Sequence, residues 1–118
     1  SKFTELIHRG KLITNYQLQN ALEARDKFRA SITQTMIDNN IDLWISPSTV
    51  GPAPKGLDST GDPVMNLPWT QIGFPALILP AGKNEDGLPM GLQVIGNWYK
   101  DESLLFWAKD LETVLANL

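Results

Sequence analysis

The sequence contains no cysteine, which excludes disulfide frameworks, thiolate zinc sites and cysteine nucleophiles and leaves the redox compartment undetermined, with the cytoplasm as default. Histidine occurs once, at His8, so any Ser-His arrangement has a single candidate base. Long apolar runs are missing as well. The longest spans a few residues, Ala76-Leu77-Ile78-Leu79-Pro80-Ala81, against the roughly 20 that a spanning helix needs, so no membrane partner is expected. Neither charge sign gathers into a block: 10 Lys plus Arg oppose 13 Asp plus Glu, for a net charge of −3. Nucleic-acid binding rests on clustered cations that displace counterions, so no nucleic-acid partner is expected either. There is no internal repeat and no low-complexity tract. The first residue is Ser1, with no apolar leader-like run behind it, which reads as a chain cut from something longer.

What is present fits one globular domain. The chain has 118 residues, 42% apolar and 19% charged, which is ordinary usage for a packed core. Phe3, Leu6 and Ile7 fall at i, i+3 and i+4 ahead of Gly10, predicting a short helix closed by glycine. Thr14 and Gln17 have the spacing of a capping box, in which each side chain satisfies an orphan amide of the other. From there Leu18, Leu22, Phe28, Ile32 and Met36 recur near a 3.6-residue period, predicting a helix of about 25 residues stopped by Asp38-Asn39-Asn40.

Ile41-Asp42-Leu43-Trp44-Ile45 reads as a strand buried on most of both faces, ended by Ser46-Pro47. Ala76–Leu79 and Gly91–Ile95 read as two more strands. Asp86-Gly87 between them favours an antiparallel hairpin, since glycine takes positive φ without a steric penalty. A helix feeding the first strand and a hairpin joining the others predict an α/β domain with a mixed sheet and flanking helices. Asp101 is the expected N-cap of a last helix whose Leu104, Leu105, Trp107, Ala108, Leu111, Val114, Leu115 and Leu118 cover a wide face. Between Ser46 and Pro75 stand six prolines and four glycines, so this stretch reads as loop, except for a turn opened by Asp62 and Pro63 and ended before Pro68.

Isolated chemistry is scarce. His8 sits beside Arg9 in an amphipathic segment and reads as a solvated or helix-terminal imidazole; a small serine hydrolase built on it is a weak rival. Asp58 and Asp62 lack the alternating oxygen ligands of a calcium loop, and no metal is expected. Glu85-Asp86 and Asp101-Glu102 read as turn and helix-start charges. Gly87-Leu88-Pro89-Met90-Gly91 runs into a strand rather than a helix, which is the wrong geometry for a phosphate cradle. The long Pro/Gly loop stands apart. It carries Met65, Leu67, Trp69 and Ile72, poor choices for a disordered tether, so it packs over a sheet or a ligand pocket.

An ordered set of motifs then points to a family. Asp42-Leu43-Trp44-Ile45-Ser46-Pro47-Ser48, Ala53-Pro54, Thr60-Gly61-Asp62, Asn66-Leu67-Pro68-Trp69, Gly73–Gly82 (GFPALILPAG) and Gly87–Gly96 (GLPMGLQVIG) together resemble the C-terminal part of the amidase signature family. The resemblance implies hydrolysis of carboxylic amides through a Ser, cis-Ser, Lys triad with no metal or cofactor. It also implies that the nucleophile lies in a Gly/Ser-rich segment and the Lys upstream of it. Neither segment is here: no glycine is followed by Ser and there is no Ser-Ser pair. No catalytic residue is therefore assigned to this chain.

The resemblance leaves the chain a role in shaping a pocket, with the N-terminal part of a parent amidase as partner and a small amide as substrate. Positioning an uncharged amide needs a dry, apolar chamber. Met65, Leu67, Trp69 and Ile72 are the expected wall and Thr70 and Gln71 the polar orienters; packing on the chain's own sheet is the competing reading. Many members carry Asn where Thr70 stands. Members acting as the glutaminase component of tRNA-dependent amidotransferases have an acidic residue upstream, with which Asp62 is out of register. This favours a stand-alone amidase parent, with an amidotransferase component or a non-catalytic scaffold as alternatives. Strands apolar on both faces also predict self-association through exposed sheet surface.

Overall fold

In the computed structural model, which describes residues 2–117 and so leaves Leu118 of the expected last-helix face outside them, a three-stranded sheet lies between two helical layers. Helix α1 (Lys2–Lys11) and helix α2 (Asn15–Asp38) come first. The capping box between them forms as expected: the Gln17 amide donates to Thr14 Oγ1 at 3.2 Å and the Thr14 amide to Gln17 Oε1 at 2.9 Å. Asn39 caps the far end of α2, and Asn40 turns the chain with a φ of 53°.

That turn shortens the first strand. Ile41 donates its amide back to the Met36 carbonyl at 2.8 Å, so Ile41 and Leu43 pack their side chains without strand pairing, and β1 runs Trp44–Pro47 rather than from Ile41. β2 (Ala76–Lys83) and β3 (Pro89–Ile95) form the expected hairpin, both longer than their apolar cores. Asn84 organises its turn: its carbonyl accepts from the Gly87 amide at 3.0 Å and its Oδ1 from the Leu88 amide at 2.8 Å, with Gly87 at φ 77°. The strand order is β1-β3-β2 and both ladders are antiparallel, so among the described residues no parallel pair completes the expected mixed pattern.

Central β3 joins two cores. Ile95 pairs with Trp44 on one side and Ala76 on the other, and its face packs against Met36, Ile72 and Phe74. Val94 points to the opposite face, where Leu79 meets Leu104 and Ala108 of helix α4 (Asp101–Leu115). Ala108, with no side chain beyond Cβ, lets α4 lie close to the strands. Lys100, not Asp101, occupies the N-cap position and makes no side-chain cap bond, because Asn97 and the left-handed Tyr99 (φ 57°) have already turned the chain. Asp101 instead adds negative charge to the first turn, where the helix dipole favours it.

The Pro/Gly stretch holds more helix than expected. Asp62 Oδ1 accepts from the Val64 amide at 2.9 Å and opens a single 3-10 turn, Pro63–Met65. A further helix, α3 (Leu67–Ile72), follows, although Pro68 reads as the end of helical structure. Pro68 lies in the first turn of α3, where a missing amide costs nothing, and Gly73 closes the helix in the left-handed conformation at φ 73°.

The whole is flat and open, 52 × 43 × 20 Å with a radius of gyration of 17.5 Å, where a compact domain of this length has about 13.5 Å. Its accessible surface is 9317 Å², close to half as much again as the roughly 6,400 Å² of a compact monomer of this mass. Much of the excess is at the N-terminal end. Every residue from Phe3 to Ala21 is exposed, and Met36 is the one buried residue of α2.

Candidate functional site

Where β1 leaves the sheet, a groove of about 590 Å³ opens between the 48–52 segment, the start of β3 and the 3-10 turn. Ile45, Val50, Met65, Met90 and Leu92 supply apolar surface, Ser48 and Thr49 supply hydroxyls, and Ser46 lines the groove with its own hydroxyl turned out of solvent. No ionisable side chain is among its lining residues. An uncharged, largely apolar ligand suits such walls, since a charged one would lose hydration without a partner.

Hydrogen bonds across sequence-distant segments hold this shape. The Ser48 amide donates to the Gly91 carbonyl at 3.0 Å, extending the β1–β3 ladder into the loop. Gln93 Nε2 donates to the Met65 carbonyl at 3.3 Å, tying the 3-10 turn to the central strand, and Asn66 Nδ2 reaches the Ser48 carbonyl at 3.4 Å. Close approach needs Gly91: a Cβ there would sit 2.6 Å from Ile78 Cγ2 and 2.8 Å from Ser48 Oγ.

Behind the groove lies unmet hydrogen-bonding capacity. Gln93 is 1% exposed, and its Oε1, together with Ser46 Oγ and Trp44 Nε1, is buried without a partner. Ser46 and Gln93 are directly opposed across the β1–β3 ladder, and Trp44 lies two residues before Ser46, so an N–H donor, a carbonyl acceptor and a hydroxyl that can do either share one sheet face. Leaving such groups unpaired costs about 1–3 kcal/mol each.

Of the expected wall residues, Met65 reaches the groove. Trp69 is half-buried within an aromatic row, its ring 6.3 Å from Trp44 and 6.5 Å from Phe74. Thr70 and Gln71 are exposed on α3. Ile72 is fully enclosed among Met36, Phe74 and Ile95, so its side chain serves the core and does not line the groove. The sequence alone does not single out the hydroxyls of Ser48 and Thr49, the buried Ser46 hydroxyl or the buried Gln93. A signal was available in Gln93, a polar residue inside an otherwise apolar strand run. Arg29 was missed too: its Nε donates to the Ile72 carbonyl at 2.6 Å while its guanidinium lies 4.2 Å over the Trp98 ring, clamping α3 onto α2.

Other chemistry is thin. His8 is exposed in the last turn of α1. Among the described residues no group of His, Asp or Glu side chains is arranged to hold a metal ion, and no helix is long and apolar enough to cross a membrane.

Taken together, the described residues form a three-stranded antiparallel sheet held between helices, with an apolar groove edged by hydroxyl-bearing residues beside β1. The chain belongs to the Amidase family, whose profile matches residues 2–105. Curated relatives include the A component of the glutamyl-tRNA(Gln) amidotransferase of a Synechococcus species, 31% identical over 90% of this chain and 25% of the relative. The protein of the same name from Wolinella succinogenes is 32% identical over 96% of this chain and 28% of its own length. This chain thus spans about a quarter of these relatives. Among solved structures it is similar to a crystal structure of an amidase, with a TM-score of 0.69 and 26% identity over 88% of this chain and 26% of that one. It shares its fold with 6-aminohexanoate cyclic dimer hydrolase complexed with substrate, at a TM-score of 0.64 and 21% identity over 85% of this chain and 25% of that one.

Proposed function

We propose that this chain is the C-terminal, pocket-forming part of an amide hydrolase whose Ser, cis-Ser, Lys machinery resides in polypeptide outside these residues. The groove beside β1 carries the reading: it has hydroxyls and apolar walls but no base among its lining residues to activate a nucleophile. Membership of the Amidase family and the quarter-length match to its relatives support it. In the assembled enzyme Met65 forms wall, Trp69 and Ile72 brace it from behind, and Thr70 and Gln71 face the covering polypeptide or the ligand. The substrate is a small amide, and the sheet surface that the rest of the enzyme would cover is left free for self-association of the isolated chain.

The test is direct. The purified chain, incubated with simple aliphatic and aryl amides, releases no ammonia or amine. Turnover that persists through repurification and disappears on Ser46→Ala or Ser48→Ala overturns the proposal.

A second reading has a specific observation behind it. Both curated relatives are components of a glutamyl-tRNA(Gln) amidotransferase, which favours a glutaminase parent over a stand-alone amidase. A chimera in which this chain replaces the matching quarter of such a relative distinguishes them. Retained glutaminase activity supports the amidotransferase reading; a folded chimera that hydrolyses other amides but not glutamine supports the stand-alone one.

A further inference from the structure

A second cleft, about 530 Å³, lies between the 41–43 segment and α4 and shares no lining residue with the β1 groove. Its floor is apolar, with Leu43, Trp107, Leu111 and Val114. Each wall carries one carboxylate: Asp42 on the segment leading into β1 and Asp110 on α4, both exposed and neither in an ion pair among the described residues. The cleft is a short apolar trough with a negative charge on either bank.

Helix α1 has the complementary form. Phe3, Leu6 and Ile7, which are 77%, 60% and 53% exposed, make one apolar stripe. At 100° per residue, Arg9 and Lys11 fall on opposite flanks of that stripe, so a cation stands on either side of it. The helix is about 15 Å long, and neither cation has an ion-pair partner among the described residues. Because α2 begins as an exposed rod, α1 is carried away from the core and offered outward.

We propose that α1 of one copy seats in the α4 cleft of a second copy, and that the exchange is reciprocal, giving a two-fold pair. In each seat Phe3, Leu6 and Ile7 cover Trp107, Leu111 and Val114, while Arg9 and Lys11 meet Asp42 and Asp110. The inference is independent of the pocket-wall reading and uses neither the β1 groove nor a sheet edge.

Sedimentation equilibrium on charge-reversed chains tests it. Arg9→Glu with Lys11→Glu, or Asp42→Lys with Asp110→Lys, turns attraction into repulsion in both seats. Each double variant alone should raise the dimer dissociation constant by about tenfold or more. An equimolar mixture of the two restores complementarity in both seats at once and should pair within about threefold of the unaltered chain. Dimerisation of the unaltered chain should also weaken between about 0.05 and 0.5 M salt, a readout that needs no variant. A chain monomeric at millimolar concentration overturns the proposal. So does association that ignores both reversals and salt, the result expected of sheet-edge pairing, and so does a mixture of folded variants that fails to pair.

Discussion

Gly91→Ala puts a number on how tightly the sheet and the groove are built. Gly91 lies on the central strand, opposite Pro80 of β2, and its carbonyl accepts from Ser48. Its φ is not among the positive ones, so the substitution meets no backbone penalty and the effect is steric. The added methyl would stand 2.6 Å from Ile78 Cγ2, 2.8 Å from Ser48 Oγ and 3.3 Å from Ser48 Cβ. The serine hydroxyl can rotate away. The Ile78 methyl is on a branched Cβ with a stiff χ1, so relief there requires β2 to shift or Ile78 to leave its rotamer.

Overpacking of this kind costs about 1–3 kcal/mol, while replacing glycine lowers unfolded-chain entropy and returns about 0.4–1 kcal/mol. Strain wins, with a net loss of about 1–2 kcal/mol. For a domain of this size, that corresponds to a fall in Tm of about 4–8 °C. Thermal unfolding followed by circular dichroism reads the change. Ile78 is 54% exposed, so Ile78→Ala alone should cost little, and in the Gly91→Ala background it should recover most of the loss. Such recovery is the signature of coupled neighbours in a double-mutant cycle. A Tm for Gly91→Ala equal to or above that of the unaltered chain refutes the packing argument, as does strict additivity with Ile78→Ala.

Arg29→Ala removes a charged hydrogen bond to the Ile72 carbonyl and a cation–π contact with Trp98, and should lower stability in urea by about 2–3 kcal/mol. Arg29→Lys should recover less than half of this, because one ammonium cannot serve both partners. Ile72→Ala should cost about 2–5 kcal/mol as a core cavity and broaden the thermal transition, whereas Gln71→Ala on the exposed neighbouring position should stay within about 0.5 kcal/mol. Thr14→Ala should cost about 1 kcal/mol and accelerate amide exchange in the first turns of α2, with the β3 amides unchanged.

Local chemistry explains which parts of this structure the sequence announces. Thr14 with Gln17, Asp62 with Pro63, and Asp86-Gly87 each act within a few residues, and each does in the structure what its spacing implies. The first strand starts three residues later than Ile41 because Asn40 turns left-handed and Ile41 bonds back to Met36, an outcome that apolar content alone does not encode. Helix α3 is hidden by Pro68, which breaks helices from the inside but is harmless in a first turn. The groove is the least legible part. Its residues come from the end of β1, the 48–52 loop, Met65 and the start of β3, and their meeting depends on the Ser48–Gly91 and Gln93–Met65 bonds, which span 43 and 28 positions.

Uneven packing ties the fold to both proposals. The cores on either side of β3 are satisfied from within this chain: Ile95 and Val94 are fully buried, and α4 and the end of α2 supply their cover. What is not satisfied lies in other places. Among the described residues, Phe3 to Ala21 stay exposed, β1 and β2 each present an unpaired edge, and Trp44, Ser46 and Gln93 keep polar atoms unpartnered behind an apolar groove. A domain selected to work alone would bury that stripe and pair those atoms, because each exposed apolar patch invites association and each orphaned polar atom costs stability. They coexist with a completed double core, so the surfaces that hold the fold together are not the ones left bare. The core makes this piece cohere, and the bare surfaces are the ones on which the two proposals place further polypeptide and a second copy.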